Sequence, residues 1–297
     1  MTGTGEITAE VLRAMALPDP QGGSKDHRGC ALVVAGSPGV PGAALLAGTA
    51  ALRAGAGKLQ MAVPACAATA LGIAVPEALV IGLPEAGDGD IDAAAAEAAL
   101  ARRTERADAV LVGPGMTEGE GATALTGALL AAAPSASFVL DAACLGDLTA
   151  HAEAVRARGG RLVITPHAGE MARLLDRSRE AIEADPLEAA RAAAGLLGVV
   201  AVMKGARTWV VAPDGAAWRY RGGGVGLATS GSGDVLAGII AGLLARGAGP
   251  VQAALWGVYL HGEAGQRLAR ACGPIGFLAR ELPGEVPALL RAVAEEG

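Results

Sequence analysis

The chain alternates between short runs that are apolar from end to end and longer Ala-rich stretches. The apolar runs predict strands at 31–35 (ALVVA), 58–62 (KLQMA), 78–82 (ALVIG), 109–113 (AVLVG), 137–141 (SFVLD), 161–165 (RLVIT) and 199–203 (VVAVM). Most do not alternate polar with apolar positions. That is the pattern of strands covered on both faces, hence of a parallel sheet between helix layers. The Ala-rich segments 42–54, 92–105, 120–132, 147–158, 168–175 and 186–197 predict the helices between them. Strand–helix alternation over this length implies a three-layer α/β/α fold with a central, mostly parallel sheet. The pattern then changes. TWVVA (208–212), the turn Pro213-Asp214-Gly215 and AAWRY (216–220) predict a β-hairpin in the C-terminal half. A Gly-rich loop at 222–226 and long helices near 233–246, 250–270 and 285–295 follow. No linker, low-complexity tail or internal repeat divides residues 1–297, so a single domain is expected.

Composition narrows the function. At 297 residues, with 52% hydrophobic and 18% charged residues, the chain can bury a core without disulfides or a structural metal. A net charge of −6 and only 2% aromatic residues leave neither the basic stripe nor the stacking platforms of a nucleic-acid binder. Cys30, Cys66, Cys144 and Cys272 form no CxxC pair and read as free thiols of a reducing cytoplasm. The N-terminus is acidic and has no apolar core of signal-peptide length. Uncharged stretches such as 29–52 are broken by Gly and Pro and read as buried soluble structure, so no membrane partner is expected. AGSPGVPG lacks the GxGxxG spacing, and Gly57-Lys58 is followed by Leu59 where a P-loop needs a hydroxyl.

Five segments carry chemistry. In ATSGSGDVLAGIIAGLLARG (228–247), Ser230, Gly231, Ser232 and Gly233 run straight into an apolar helix. Their amides can converge on an anion at the helix N-terminus. Asp234, in the first turn beside that anion, can accept a proton from an attacking hydroxyl. The same run reads equally as a helix capped by Ser232, with Asp234 favouring the dipole. Gly231, Gly233 and Gly238 favour close approach of a ligand to the backbone. MKGART (203–208) places Lys204, Gly205 and Thr208 at a strand's C-terminal edge, where open α/β sheets bind ligands. Lys204 is one of three lysines in the chain. In TPHAGEMARLL (165–175), Thr165 can cap a helix with Pro166 at its first position, which holds His167 at the junction and Glu170 one turn on. In GSPGVPGAALLA (36–47) a helix starts near Pro41, and Ala43 and Ala44 are small enough for a flat ligand to lie against the backbone. GPGM (113–116) and Asp141 end two further strands and could reach magnesium-bound phosphates.

Taken together, these motifs resemble the carbohydrate-kinase-like domain of the ADP/ATP-dependent NAD(P)H-hydrate dehydratases, a branch of the ribokinase-like superfamily. The resemblance runs from about residue 25 to 290, with the motifs in the family's order. It implies a lyase that repairs nicotinamide cofactor: phosphorylation of the ring hydroxyl of the S epimer, then elimination of phosphate. ADP, or ATP, would be the co-substrate, with Mg²⁺. By resemblance, Ala43, Gly115, His167 and Asp234 face the hydrate, and Asp234 is the general base. Lys204, Gly205, Ala206, Arg207, Thr208, Gly231 and Gly233 surround the nucleotide. No metal ligand is assigned. The family's DAD motif reads Asp141-Ala142-Ala143 here, so a weaker metal dependence is expected. Fewer than 30 residues precede the first expected strand, which leaves no room for the epimerase domain fused to many bacterial relatives. A separate epimerase is therefore the expected functional partner, and a homotetramer the expected assembly. Two other readings compete: a ribokinase-like kinase acting on a hydroxymethylpyrimidine or hydroxyethylthiazole, and a nucleotide sensor that has lost turnover.

Overall fold

In a computed structural model of the protein, residues 4–19 and 24–295 are described. A short strand β1 (Thr4–Glu6) and a helix α1 (Ala9–Ala14), capped by Thr8, come first. Strands β2 (Cys30–Val34), β3 (Lys58–Pro64) and β4 (Ala78–Leu83) follow, joined by α2 (Gly42–Arg53) and α3 (Ala65–Ala74). Next come α4 (Ala93–Thr104), β5 (Ala109–Val112), α5 (Glu120–Ala132), β6 (Ser137–Leu140), α6 (Ala152–Arg156) and β7 (Leu162–Ile164). Helices α7 (Ala168–Leu175), α8 (Arg179–Ala184) and α9 (Pro186–Leu197) lead into β8 (Val200–Met203). The hairpin β9 (Thr208–Val211) and β10 (Ala217–Tyr220) precedes α10 (Ser232–Ala245), α11 (Pro250–Cys272) and α12 (Leu282–Glu295).

The ten strands among the described residues form one sheet in the order β1-β10-β9-β8-β7-β6-β5-β2-β3-β4. Strands β2 to β8 are mutually parallel, and β8, β9 and β10 pair antiparallel. The α/β/α class, the parallel sheet and the hairpin are as expected from sequence. The expected helix at 147–158 is not continuous: Leu148–His151 form a 3₁₀ turn ahead of the short α6. The His151 ring accounts for this, since Nε2 reaches the Thr123 carbonyl (2.8 Å) and the ring fills the space over Gly127. Sequence reading missed β1, α1, α3 and α8. β1 is three residues long, too short for a periodicity, and depends on β10 for its pairing.

Alternation along the buried strands divides the core in two. Val33, Met61, Leu111 and Val139 face one layer, with α2, α10, α11 and α12. Leu32, Val110, Phe138 and Leu140 face the other, with α4, α5, α7 and α9. The chain builds outward from β2 to β4, then returns to add β5 on β2's other side. The crevice between β2 and β5 is therefore the sheet's switch point, where such folds bind ligands. Among the described residues, no helix is long and apolar enough to cross a membrane.

Candidate functional site

Register brings the chemistry to one edge. Val34 pairs with Val112, Val112 with Leu140, and Leu140 with Ile164. Gly36, Gly113, Asp141 and Thr165 therefore leave the sheet side by side. Lys204 joins them from β8, its amide donating to the Pro166 carbonyl (2.8 Å).

A buried charge network forms there. Asp141 Oδ1 accepts from Lys204 Nζ (2.9 Å) and from Thr165 Oγ1 (2.6 Å). Glu170 Oε2 lies 3.7 Å from the same ammonium and accepts from the His167 amide (2.7 Å). Burial pushes the Lys204 pKa down, but Asp141 and Glu170 more than offset it and hold it above the ordinary lysine value. The ammonium stays charged.

Helix α7 begins differently from the sequence reading. Thr165 is not its cap, because its hydroxyl is committed to Asp141. His167 caps instead. Its Nδ1 accepts from the amides of Gly169 (3.0 Å) and Glu170 (3.2 Å), and Glu170 answers to the His167 amide as a capping box. An acceptor Nδ1 leaves the ring hydrogen on Nε2, 3.3 Å from Glu170 Oε1.

At α10 the cap is Gly231, not Ser232. Gly231 has φ +85, a left-handed conformation that suits glycine, and no side chain caps the helix. The first bond back to the cap runs from the Val235 amide to the Gly231 carbonyl (3.1 Å). The Gly233 and Asp234 amides just before it are the open donors of the first turn. A methyl added at Gly233 would lie 3.3 Å from Lys204 Nζ, so the ammonium sits close to the first turn of α10. Burial raises the Asp234 pKa and Asp141 raises it further. Lys204 opposes this and Glu170 adds to it, and the result is about 6.

Two hollows open at this edge of the sheet. The larger, about 740 Å³, is lined by Lys204, Gly205, Ala206, Thr208, Gly233 and, at its rim, His167. Arg207 is exposed and not part of the lining, and Gly231 is turned toward Leu46 and Ala279. On the other side, at the switch point, Gly115 has φ +64, and a methyl on it would lie 2.5 Å from the Ala43 Cβ. The Gly36 amide donates to the Pro114 carbonyl (2.8 Å) and joins the two loops. Ala43 is therefore buried against Gly115. A smaller hollow of about 240 Å³ opens beside Gly36 and Met116.

Sequence reading missed the wall of the larger cavity that comes from β10 and α11, notably Tyr220, His261 and Gly262. No motif links them to the site. The available signal was a histidine followed by glycine within an otherwise ordinary amphipathic helix. Ala143, where the resemblance places a second aspartate, is buried and brings no oxygen to the edge.

Comparison with known proteins gives the family and the fold. Residues 31–287 match the family model described as NAD(P)H-hydrate dehydratase. An ADP-dependent (S)-NAD(P)H-hydrate dehydratase of Xanthomonas campestris is 49% identical over 285 residues, covering 96% of this chain and 95% of that protein. The ADP/ATP-dependent NAD(P)H-hydrate dehydratase of Bacillus subtilis, co-crystallised with ATP and Mg²⁺, is 28% identical with a TM-score of 0.81, covering 99% of this chain and 100% of that one. A ribokinase-like superfamily protein of Enterococcus faecalis, 24% identical with a TM-score of 0.82, shares the fold over 99% of this chain and 98% of its own. With the family model spanning most of the chain and a relative this similar along its full length, the chain belongs to the NAD(P)H-hydrate dehydratase family.

Proposed function

We propose that the protein dehydrates the S epimer of NAD(P)H hydrate at the expense of ADP, releasing AMP and phosphate. One observation carries the reading. Asp234, its pKa raised to about 6, sits in the first turn of α10 beside open amides and a charged lysine. A nucleotide-sized cavity lined by the adjoining Gly233 and by Lys204 opens beside it, and the switch-point crevice lies at the same edge of the sheet.

Each part has a task. Nucleotide occupies the larger cavity, with its terminal phosphate on the Gly233 and Asp234 amides and near Lys204. The hydrate ring lies at the switch point, against Ala43 and Gly115 and within reach of His167. Asp234 takes the proton of the ring hydroxyl. The oxygen attacks the terminal phosphorus, the bond from that phosphorus to the bridging oxygen breaks, and AMP leaves. Phosphate is a far better leaving group than hydroxide. The ring nitrogen's lone pair expels it, and loss of a proton from the adjacent carbon restores the double bond. The cationic donors come ready positioned, which is where most of the rate is gained in phosphoryl transfer.

Mg²⁺ fits the donor chemistry of this edge, where Asp141 and Glu170 are hard oxygen ligands. Their oxygens already serve Lys204, Thr165 and His167, and among the described residues no three His, Cys, Asp or Glu side chains form a ready-made metal cage. Asp141 and Glu170 would hold the ion with the nucleotide phosphates, where it would neutralise charge on the transferred group. ADP as the preferred nucleotide, a separate epimerase to supply the S form, a homotetramer and a cytoplasmic location belong to the same proposal.

The test is to incubate the purified protein with NADH hydrate, Mg²⁺ and either ADP or ATP. Recovery of the dihydronicotinamide absorbance with ADP, matched one-for-one by AMP, is the expected result. Nucleotide binding with no recovery would defeat the proposal and favour a sensor.

A further inference from the structure

Ser232 opens α10, yet its hydroxyl takes no part in capping that helix. Its Oγ lies 2.9 Å from Nε2 of His261, in the middle of α11. Both side chains are buried, and both form part of the larger cavity's wall. A serine at a helix start has a ready alternative, which is to fold back onto the neighbouring backbone. Here the donor two residues on is the Asp234 amide, one of the pair an anion would need.

The imidazole is well suited to prevent that. Burial pushes its pKa down to about 4, with the Ser232 backbone opposing and Lys204 reinforcing the shift. The ring stays neutral over the working range and adds no charge beside the ammonium. It is also held in place. Gly257, Gly262 and Gly265 of α11 lie hard against Ile240, Tyr220 and Leu227, where an added methyl would collide. This close packing on three neighbours fixes the face of α11 that presents His261.

We propose that His261 is a positioning residue: its Nε2 holds the Ser232 hydroxyl against α11 and so keeps the first-turn amides of α10 open for the terminal phosphate of a nucleoside diphosphate. This rests on the nucleotide reading above.

The test is a double-mutant cycle on ADP and AMP affinity, measured by titration calorimetry independently of turnover. His261→Leu, which fills the space without a hydrogen bond, weakens ADP binding about tenfold and AMP binding much less. His261→Gln, whose amide can still reach the hydroxyl, restores most of the affinity. In a Ser232→Ala background, the penalty of His261→Leu largely disappears, because no hydroxyl remains to be restrained. Equal penalties with and without the Ser232→Ala change, or equal losses for ADP and AMP, would overturn the proposal. So would failure of His261→Gln to rescue. A wild-type protein that binds ADP without dehydrating the hydrate defeats only the proposed function. One that binds neither ADP nor ATP defeats both.

Discussion

The two helix layers hold the sheet by different means. On one side α10 packs onto α2 backbone to backbone. A methyl at Gly238 would strike the Ala47 carbonyl, and one at Gly242 the Ala51 carbonyl. On the other side α4 and α5 cover the sheet with large side chains, among them Leu100, Leu125 and Leu129, in one buried cluster with Phe138. Leucine can shift between rotamers to absorb a change, whereas two touching backbones cannot. The stiff contact belongs to the helix that carries Asp234 and the open amides. The softer layer reaches the site through α7, where a capping box and the Glu170–Lys204 pair provide the local order instead.

The largest expected effect tests whether α10 presents one indispensable carboxylate on a frame that does not depend on it. Asp234→Asn should lower kcat about 10²- to 10⁴-fold, as measured by hydrate turnover, with ADP binding retained. The same change should raise the melting temperature above pH 6. An aspartate whose folded pKa is raised favours the fold only at low pH, and that contribution is lost as pH rises through about 6. A substituent that never ionises avoids the loss. A lower melting temperature for Asp234→Asn at pH 8 would mean that the carboxylate supports the fold.

Next comes the contrast itself. Leu129→Ala should cost about 2–5 kcal/mol in chemical denaturation. Its folded fraction should keep the wild-type kcat and KM. Gly238→Ala should cost about 1–3 kcal/mol, and it should also raise the KM for ADP, because α10 must move off α2. Equal kinetic effects from the two variants would erase the distinction between the layers.

A smaller effect concerns pH. The free-enzyme profile of kcat/KM should climb as pH rises through about 6, where Asp234 loses its proton. In Asp141→Asn a like charge is removed and Lys204 is freed, and both changes move the midpoint down. An upward move would mean that Asp141 does not raise the Asp234 pKa. The smallest effect lies at the cavity's far wall. Tyr220 donates to Glu263 (2.8 Å), and Tyr220→Phe should cost about 1 kcal/mol of stability while leaving the Asp234 limb of the pH profile in place.

Local chemistry made much of this legible in advance. The apolar runs located β2 to β8, most of them because a strand buried on both faces has no room for polar residues; β4, at the sheet edge, is equally apolar although Leu79 is exposed. The Pro-Asp-Gly turn marked the hairpin. Gly-Ser-Gly-Asp marked the start of α10 because glycine and small polar residues running into an apolar stretch signal a helix N-terminus, with Gly231 at φ +85 as the cap. α3 was missed because it has no polar face, and its continuous run of small apolar residues does not distinguish helix from strand. The 3₁₀ break before α6 depends on a carbonyl 28 residues away.

The residues alone determined the layered fold and singled out the strand ends and Asp234 as the candidate site, since each follows from patterns a few residues long. Only the tertiary structure decided which neighbour each polar group takes. Thr165 and Ser232 each had a plausible local task as a helix cap, and each was diverted by a partner distant in sequence, Asp141 and His261. A hydroxyl takes its best available partner, and that partner is known only once the sheet order and helix packing have brought it within about 3 Å.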